Sequence, residues 1–264
     1  MGPRIISLFV CTLTLGSVAS SQIPMVGQGG IENAAGLGRT TTIAPGSLIS
    51  IFGTNLASGL SIASSATLST ALGDVDSVMI NGMPAPLQFV ASGQINAQAP
   101  WELTPGQATV VVTRAGIASA PVAVVVGSYS PALYGFGLGT QAISINLDGT
   151  FTAPPGLIPG AASHPATAGD TLVFYASGLG PVDQAPPPDG APSSDTIRRT
   201  SAPLTVMMGG VPGVVNFAGL SPQFSGVYQV NVVVPPGVSP GSAVPVQLQI
   251  GGVTSADTLT IALQ

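Results

Sequence analysis

The sequence predicts an all-β protein: two tandem antiparallel β-sandwiches joined by a linker that contains a β-hairpin. Three observations predict it. First, only 6% of the 264 residues are charged, against roughly 25% in an average soluble domain. Lysine is absent and Val, Ile and Thr are common, which favours strands over helices. Second, 35 Gly and 25 Pro punctuate apolar runs of strand length. Third, the two halves of the chain repeat each other.

At the N-terminus, Arg4 precedes an apolar run over residues 5–15, and small residues follow at 16–20. That run is too short to span a bilayer, which takes about 20 residues. The pattern is that of an export signal cleaved after Ser20, so residues 1–20 are read as a signal peptide. Cleavage removes Cys11, the only cysteine, and with it any disulfide, thiolate ligand or thiol nucleophile. It leaves four Arg against ten acidic residues, 4 − 10 = −6. That balance disfavours nucleic acid and anionic lipid as partners, since both demand clustered cations. No later stretch is long and apolar enough for a transmembrane helix, so no membrane span is expected in the mature chain.

The repeat then orders the elements. APGSLISIFGTNLA (44–57) parallels AGDTLVFYASGLG (168–180), a Gly-led turn followed by an apolar strand. VMINGMPAPLQF (78–89) parallels VMMGGVPGVVNF (206–217), with Asn81-Gly82 and Gly209-Gly210 as hairpin turns. QINAQAPWELTPG (94–106) parallels QVNVVVPPGVSPG (229–241), after an insertion around residues 219–228 in the second copy. Terminal hairpins close each copy. This divides the chain into a first domain at 30–126, a hairpin and linker at 127–165, and a second domain at 166–264, each with about seven strands. Asp148-Gly149 is read as a type I′ turn, and residues 183–200 as an extended, solvent-exposed, Pro-rich loop.

The segments PGSLISIFGTNL, INGMPAPLQFV, GQINAQAPWEL, INLDGT, YASGLG and VYQVNVVVP resemble the Solibacter-type uncharacterised C-terminal domain of secreted acidobacterial proteins, from about Asn33 to the end. Each half also resembles an IPT/TIG domain, an early-set immunoglobulin-like sandwich. The resemblance implies an immunoglobulin-like fold and export. It implies no activity, and it carries no catalytic or binding residues.

Chemistry is sparse. His164, the sole histidine, lies next to Pro165 in the linker, away from any Ser-His-Asp arrangement. There is no nucleophile elbow, phosphate loop or metal-ligand motif. Hence no enzyme, cofactor or metal site is expected. Asp74 and Asp76 read as charges discouraging edge pairing. Asp183, Asp189 and Asp195 share one loop but are spaced too widely for an EF-type site, which favours solvated charges and leaves a cation open. Arg198 and Arg199 could grip a carboxylate or sulfate, but read first as solvated residues entering a strand. Tyr175 is expected in the core. Tyr228 is expected to pack its ring while its hydroxyl bonds backbone.

One local set qualifies for ligand or partner contact: Gln98, Trp101 and Glu102, where an aromatic is flanked by an amide and a carboxylate. Packing of Trp101 at a core edge or against the neighbouring copy competes with that reading. Gln94 and Asn96 recur as Gln229 and Asn231, and the shared Asn is expected to satisfy backbone groups of an adjacent loop or strand in both copies. The functional expectation is a secreted, non-enzymatic module with a structural, adhesive or protein-interaction role at or outside the cell envelope. The alternative is a carbohydrate-binding module for polysaccharide or envelope glycan.

Overall fold

The computed structural model describes residues 23–36, 40–137, 139–256 and 258–264; the expected signal peptide, residues 1–20, lies outside them. The described chain is all-β. Its first half contains β1 (Met25–Asn33), β2 (Thr42–Ile43), β3 (Leu48–Thr54), β4 (Ser61–Ile62), β5 (Val75–Ile80), β6 (Met83–Pro84), β7 (Leu87–Val90), β8 (Gln94–Gln98), β9 (Gly106–Arg114), β10 (Ile117–Ala118) and β11 (Val122–Val126). They build two sheets, β1-β3-β8-β7-β4 and β2-β11-β9-β5-β6, with β10 on β9. The β2–β11 pair is parallel.

The second half contains β12 (Ala132–Leu133), β13 (Ser144–Asn146), β14 (Thr171–Ser177), β15 (Leu204–Met208), β16 (Val211–Pro212), β17 (Val214–Leu220), β18 (Tyr228–Val233), β19 (Gly241–Ile250), β20 (Val253–Thr254) and β21 (Leu259–Leu263). Its sheets run β12-β14-β18-β17, with β13 on β14, and β16-β15-β19-β20, with β21 on β19. β12 and β13 come from the stretch between the two repeats, and both join the second half's sheet through β14.

Strict alternation explains both cores. In β9, Ala108, Val110 and Val112 are buried while Gln107 and Thr109 are exposed. In β19, Val244, Val246, Leu248 and Ile250 are buried between exposed Pro245, Gln247 and Gln249. A period of two places one set inward and the other in water. One core gathers Ile49, Ile51, Val78, Ile95 and Val110, among others. A separate one gathers Leu172, Phe174, Val206, Val230 and Leu248.

The turns follow their residues. Asn81 and Gly82 both take positive φ, 49° and 78°, as a two-residue type I′ hairpin requires. At Asp148-Gly149 the expected type I′ turn is replaced. Only Gly149 is left-handed, and Asn146 and Thr150 close a three-residue loop through a 2.8 Å backbone bond. Asp148 stays right-handed because its carboxylate accepts from the Thr150 N–H at 3.0 Å and the Thr150 hydroxyl at 2.7 Å. The Asp74–Asp76 segment lies where β5 pairs with β9 but not with β6, which reaches only Met79 and Ile80, and its carboxylates are not simply left in solvent. Asp74 instead bonds the Arg114 guanidinium at 2.8 Å, and Asp76 accepts from the Gly116 N–H at 2.7 Å.

Candidate functional site

In β8, Ile95 and Ala97 point into the first core, so Gln94, Asn96 and Gln98 share the outer face. Strand pairing extends that face into a row. Asn96 stands beside Ser50 on β3 and Phe89 on β7; Ser50 stands beside Glu32 on β1, and Phe89 beside Ile62 on β4. Phe52 stands beside Gln94. Burial raises the pKa of Glu32 at the far end of this row. The Gln94 amide donates to Asn96 Oδ1 at 2.8 Å, and the Ser50 hydroxyl to the same oxygen at 3.1 Å.

The second half repeats this arrangement. Asn231 stands beside Val173 and Phe217, and Gln229 beside Tyr175. The Gln229 amide donates to Asn231 Oδ1 at 2.9 Å. Both sheets carry a register shift just before the phenylalanine, between Leu87 and Phe89 and between Val215 and Phe217. A bulge at that point re-aims the following side chain. The expectation that the shared Asn satisfies backbone groups is therefore corrected: its oxygen accepts from the neighbouring Gln side chain on a half-buried outer face. Tyr175 is corrected likewise. Its neighbours Phe174 and Ala176 take the core, and its half-buried ring meets Phe224 edge-on at 6.0 Å.

Each amide–phenylalanine pair lines a groove. In the first half Asn96 and Phe89 line one of about 460 Å³, walled by residues 62–66 and by Gln223, Phe224 and Ser225. In the second, Asn231, Gln229 and Phe217 line one of about 420 Å³, walled by residues 193–197 and Pro222. The inserted segment 222–225 thus contributes to both grooves.

At the last outer position of β8 the two halves meet. Gln98 is completely buried. Its amide donates to Gly46 O at 3.1 Å, and its carbonyl accepts from the Gly190 N–H at 2.6 Å. Gly190 lies in the second half, so one side chain joins both copies, with its amide nitrogen bonded to one and its carbonyl oxygen to the other. Trp101 is half-buried and packs against the second core. Its backbone N–H donates to Asp189 Oδ1 at 3.0 Å. A Cβ on Gly46 would overlap the Trp101 ring, and Gly46 has φ of +74°. Glycine is thus needed there both for space and for its left-handed backbone. Glu102 is exposed beside Asp189. Burial foremost, with Glu102 adding, holds the Asp189 carboxyl above the ordinary range, against the lowering effect of the Trp101 N–H.

More bonds tighten this junction. Asn33 donates to Ser130 O at 2.6 Å, and the Ser130 hydroxyl donates to Thr42 O at 2.6 Å. The Ser225 hydroxyl lies 2.6 Å from Gly190 O and 2.8 Å from Ala66 O. Tyr129 packs on the second core with its ring between the backbones of Gly180 and Gly251. Trp101, Leu103, Pro45 and Pro105 of the first half meet Pro181, Val182 and Pro186 around an apolar cleft of about 300 Å³.

The remaining candidates are dispersed. Asp183 accepts from the Arg199 N–H at 2.9 Å, Asp189 faces Trp101, and Asp195 grips Arg198 through both oxygens. Among the described residues, no group of three or more His, Cys, Asp or Glu gathers as a metal site. Arg198 is not the solvated residue expected. It is 6% exposed, because the 183–200 loop folds around it and supplies Ala185 O at 2.6 Å and Ser193 Oγ at 2.9 Å. That loop accordingly docks on both halves rather than extending into solvent. Tyr228 is fully buried and its hydroxyl bonds Gly180 O, as its position at a strand start implies. His164 and Asp148 form an exposed pair at 2.9 Å. The Pro165 carbonyl first, then Asp148, holds the imidazolium above its usual pKa, while Thr150 and then His164 hold Asp148 near about 2.

No family model and no curated protein matches the chain. Among solved structures it is similar to SGBP-B of the Bacteroides ovatus mixed-linkage glucan utilization locus, solved with a mixed-linkage heptasaccharide. The identity is 13% and the TM-score 0.33, over 85% of this chain and 44% of that one. It is similar to SGBP-B from a complex xyloglucan utilization locus in Bacteroides uniformis at 10% identity and TM-score 0.26, over 91% and 49% of the two chains. A titin I9–I11 tandem is similar at 10% identity and TM-score 0.21, over 92% and 67%. The chain covers less than half of each SGBP-B. Among the described residues no helix is long and apolar enough to cross a membrane.

Proposed function

We propose that the protein is an exported, non-enzymatic binding module whose two immunoglobulin-like sandwiches act as one body and present an outer sheet face to a partner at the cell envelope. The observation that carries this reading is the division of labour along β8. Gln94 and Asn96, which recur, stay on the half-buried outer face, whereas Gln98, which does not, is consumed in joining the halves. A buried amide bonded on both sides fixes geometry, because breaking it strands buried donors and acceptors. Export is supported by the signal pattern of residues 1–20 and by the resemblance to secreted Solibacter-type domains.

The test is co-sedimentation of the purified chain with insoluble bacterial envelope material, untreated and protease-treated. The chain pellets with at least one preparation if the reading is right. A chain that stays in the supernatant with every preparation contradicts it.

A further inference from the structure

Four residues recur at matched positions on the outer faces: Phe52 with Tyr175, Gln94 with Gln229, Asn96 with Asn231, and Phe89 with Phe217. We propose that the two grooves floored by Asn96–Phe89 and Asn231–Phe217 form one binding track for an uncharged polysaccharide chain, bridged by the inserted segment that carries Phe224. This rests on the binding-module reading and names its ligand class.

The chemistry selects that class. Asn96 Oδ1 and Asn231 Oδ1 accept from neighbouring Gln amides, which orients each Asn with its NH₂ facing away from that bond. Each groove thus offers a fixed Asn amide donor beside a phenylalanine, and the one carboxylate at the wall of the second groove, Asp195, is already paired with Arg198. A sugar ring presents hydroxyls that both donate and accept, and C–H faces that lie against an aromatic ring. An amide beside a phenylalanine meets both needs. Arg199 stands over the Phe217 ring at 5.0 Å and so supports one side of it.

The repetition selects a polymer. Two like subsites on one body fit a ligand whose own units repeat, and joined subsites gain affinity by avidity without new contacts. Phe224 is 48% exposed, borders the first groove and meets Tyr175 of the second sheet. It therefore leads from the first groove to the second sheet's outer face, where Tyr175 stands beside Gln229 of the second groove. A protein partner would call for a larger apolar centre than two separate grooves of 420–460 Å³ supply.

The test is affinity electrophoresis of the full chain in gels holding hydroxyethylcellulose, xylan, galactomannan or dextran, with polygalacturonate as the acidic control. At least one neutral gel retards the wild type. The double variant Phe89→Leu with Phe217→Leu keeps apolar volume but removes both rings; it loses retardation about 10-fold or more, and each single variant loses less. Asn96→Ala with Asn231→Ala loses it too. Thermal unfolding of each variant verifies the fold. No retardation in any neutral gel, retardation by polygalacturonate alone, or retardation unchanged in folded double variants overturns the track. Envelope co-sedimentation separates the two proposals. A chain that pellets but is never retarded keeps the module and loses the glycan. Pelleting abolished by protease treatment of the envelope points to a protein partner and also overturns the track. A chain that neither pellets nor is retarded loses both.

Discussion

Strands β8 and β18 occupy the same place in the two sandwiches and begin alike, with Gln-x-Asn on the outer face and apolar residues inward. They part at their ends. Gln98 is fully buried and bonded to both halves, whereas Val233 at the matching position is half-buried and makes no such link. Likewise Trp101 packs across the junction where the second copy has Pro236. The polar pair that the copies share lies on the outer face, whereas residues that they do not share hold the copies together. A duplicated domain can therefore keep one inherited surface and build its junction from the residues that diverge.

The sharpest way to break this comparison is to truncate the two strand ends. Gln98→Ala strands the Gly190 N–H and Gly46 O in a buried junction and costs about 2–4 kcal/mol of stability. Val233→Ala costs less than about 1 kcal/mol. Urea unfolding midpoints of the two variants measure the difference, and equal losses would remove the special role of Gln98.

Gly46 and Gly169 make a second matched pair, each lying two residues before a matched strand, β3 or β14, with positive φ, 74° and 95°. Gly169→Ala meets open space and costs the left-handed backbone strain alone, about 1–2 kcal/mol. Gly46→Ala also collides with Trp101, adding about 1–3 kcal/mol for displacing the ring. The extra loss should vanish in a Trp101→Ala background.

Asp189 sharpens the comparison through pH. Its carboxyl is raised, so the folded state binds that proton more tightly than the unfolded chain does. Its contribution favours folding below the unfolded value, about 3.9, and is lost as pH rises through the raised folded value. Asp189→Asn therefore raises Tm at pH 7 by about 1–3 °C and leaves Tm near pH 3 unchanged. A fall at pH 7 would show that the Trp101 N–H needs the charged acceptor.

The smallest effect belongs to the exposed His164–Asp148 pair, which has no counterpart in the first half. His164 is raised, so its contribution is complete below about 6.5 and fades as pH rises through its folded value. Asp148 is lowered to about 2, so its contribution is present above about 3.9 and fades as pH falls towards 2. Asp148→Asn should lower the His164 pKa in an NMR titration, and an unchanged titration would assign the shift to Pro165 alone.

Strand periodicity and the Asn-Gly hairpin are legible in the sequence because each depends on neighbours close along the chain, and the repeat because it needs only the sequence set against itself. Trp101 has no counterpart in the second copy, where Pro236 stands, and packing against that copy is among the readings its sequence position allows. What escaped was the meaning of the shared Gln and Asn. Their partners, Ser50, Phe89 and Phe217, lie on other strands, and register across strands is not written in any one of them. The bulges before Phe89 and Phe217 escaped for the same reason, although both repeats carry an extra residue at that point. The burial of Arg198 is not legible in the sequence because its acceptors, Ala185 O and Asp195, come from a loop whose path is set by docking.

The most direct measurement of the central claim is scanning calorimetry of the wild type beside Gln98→Ala. If Gln98 and its neighbours join the halves into one body, the wild type unfolds in one transition with equal calorimetric and van't Hoff enthalpies, and the variant separates into two. Two wild-type transitions, both unmoved by Gln98→Ala, would contradict it.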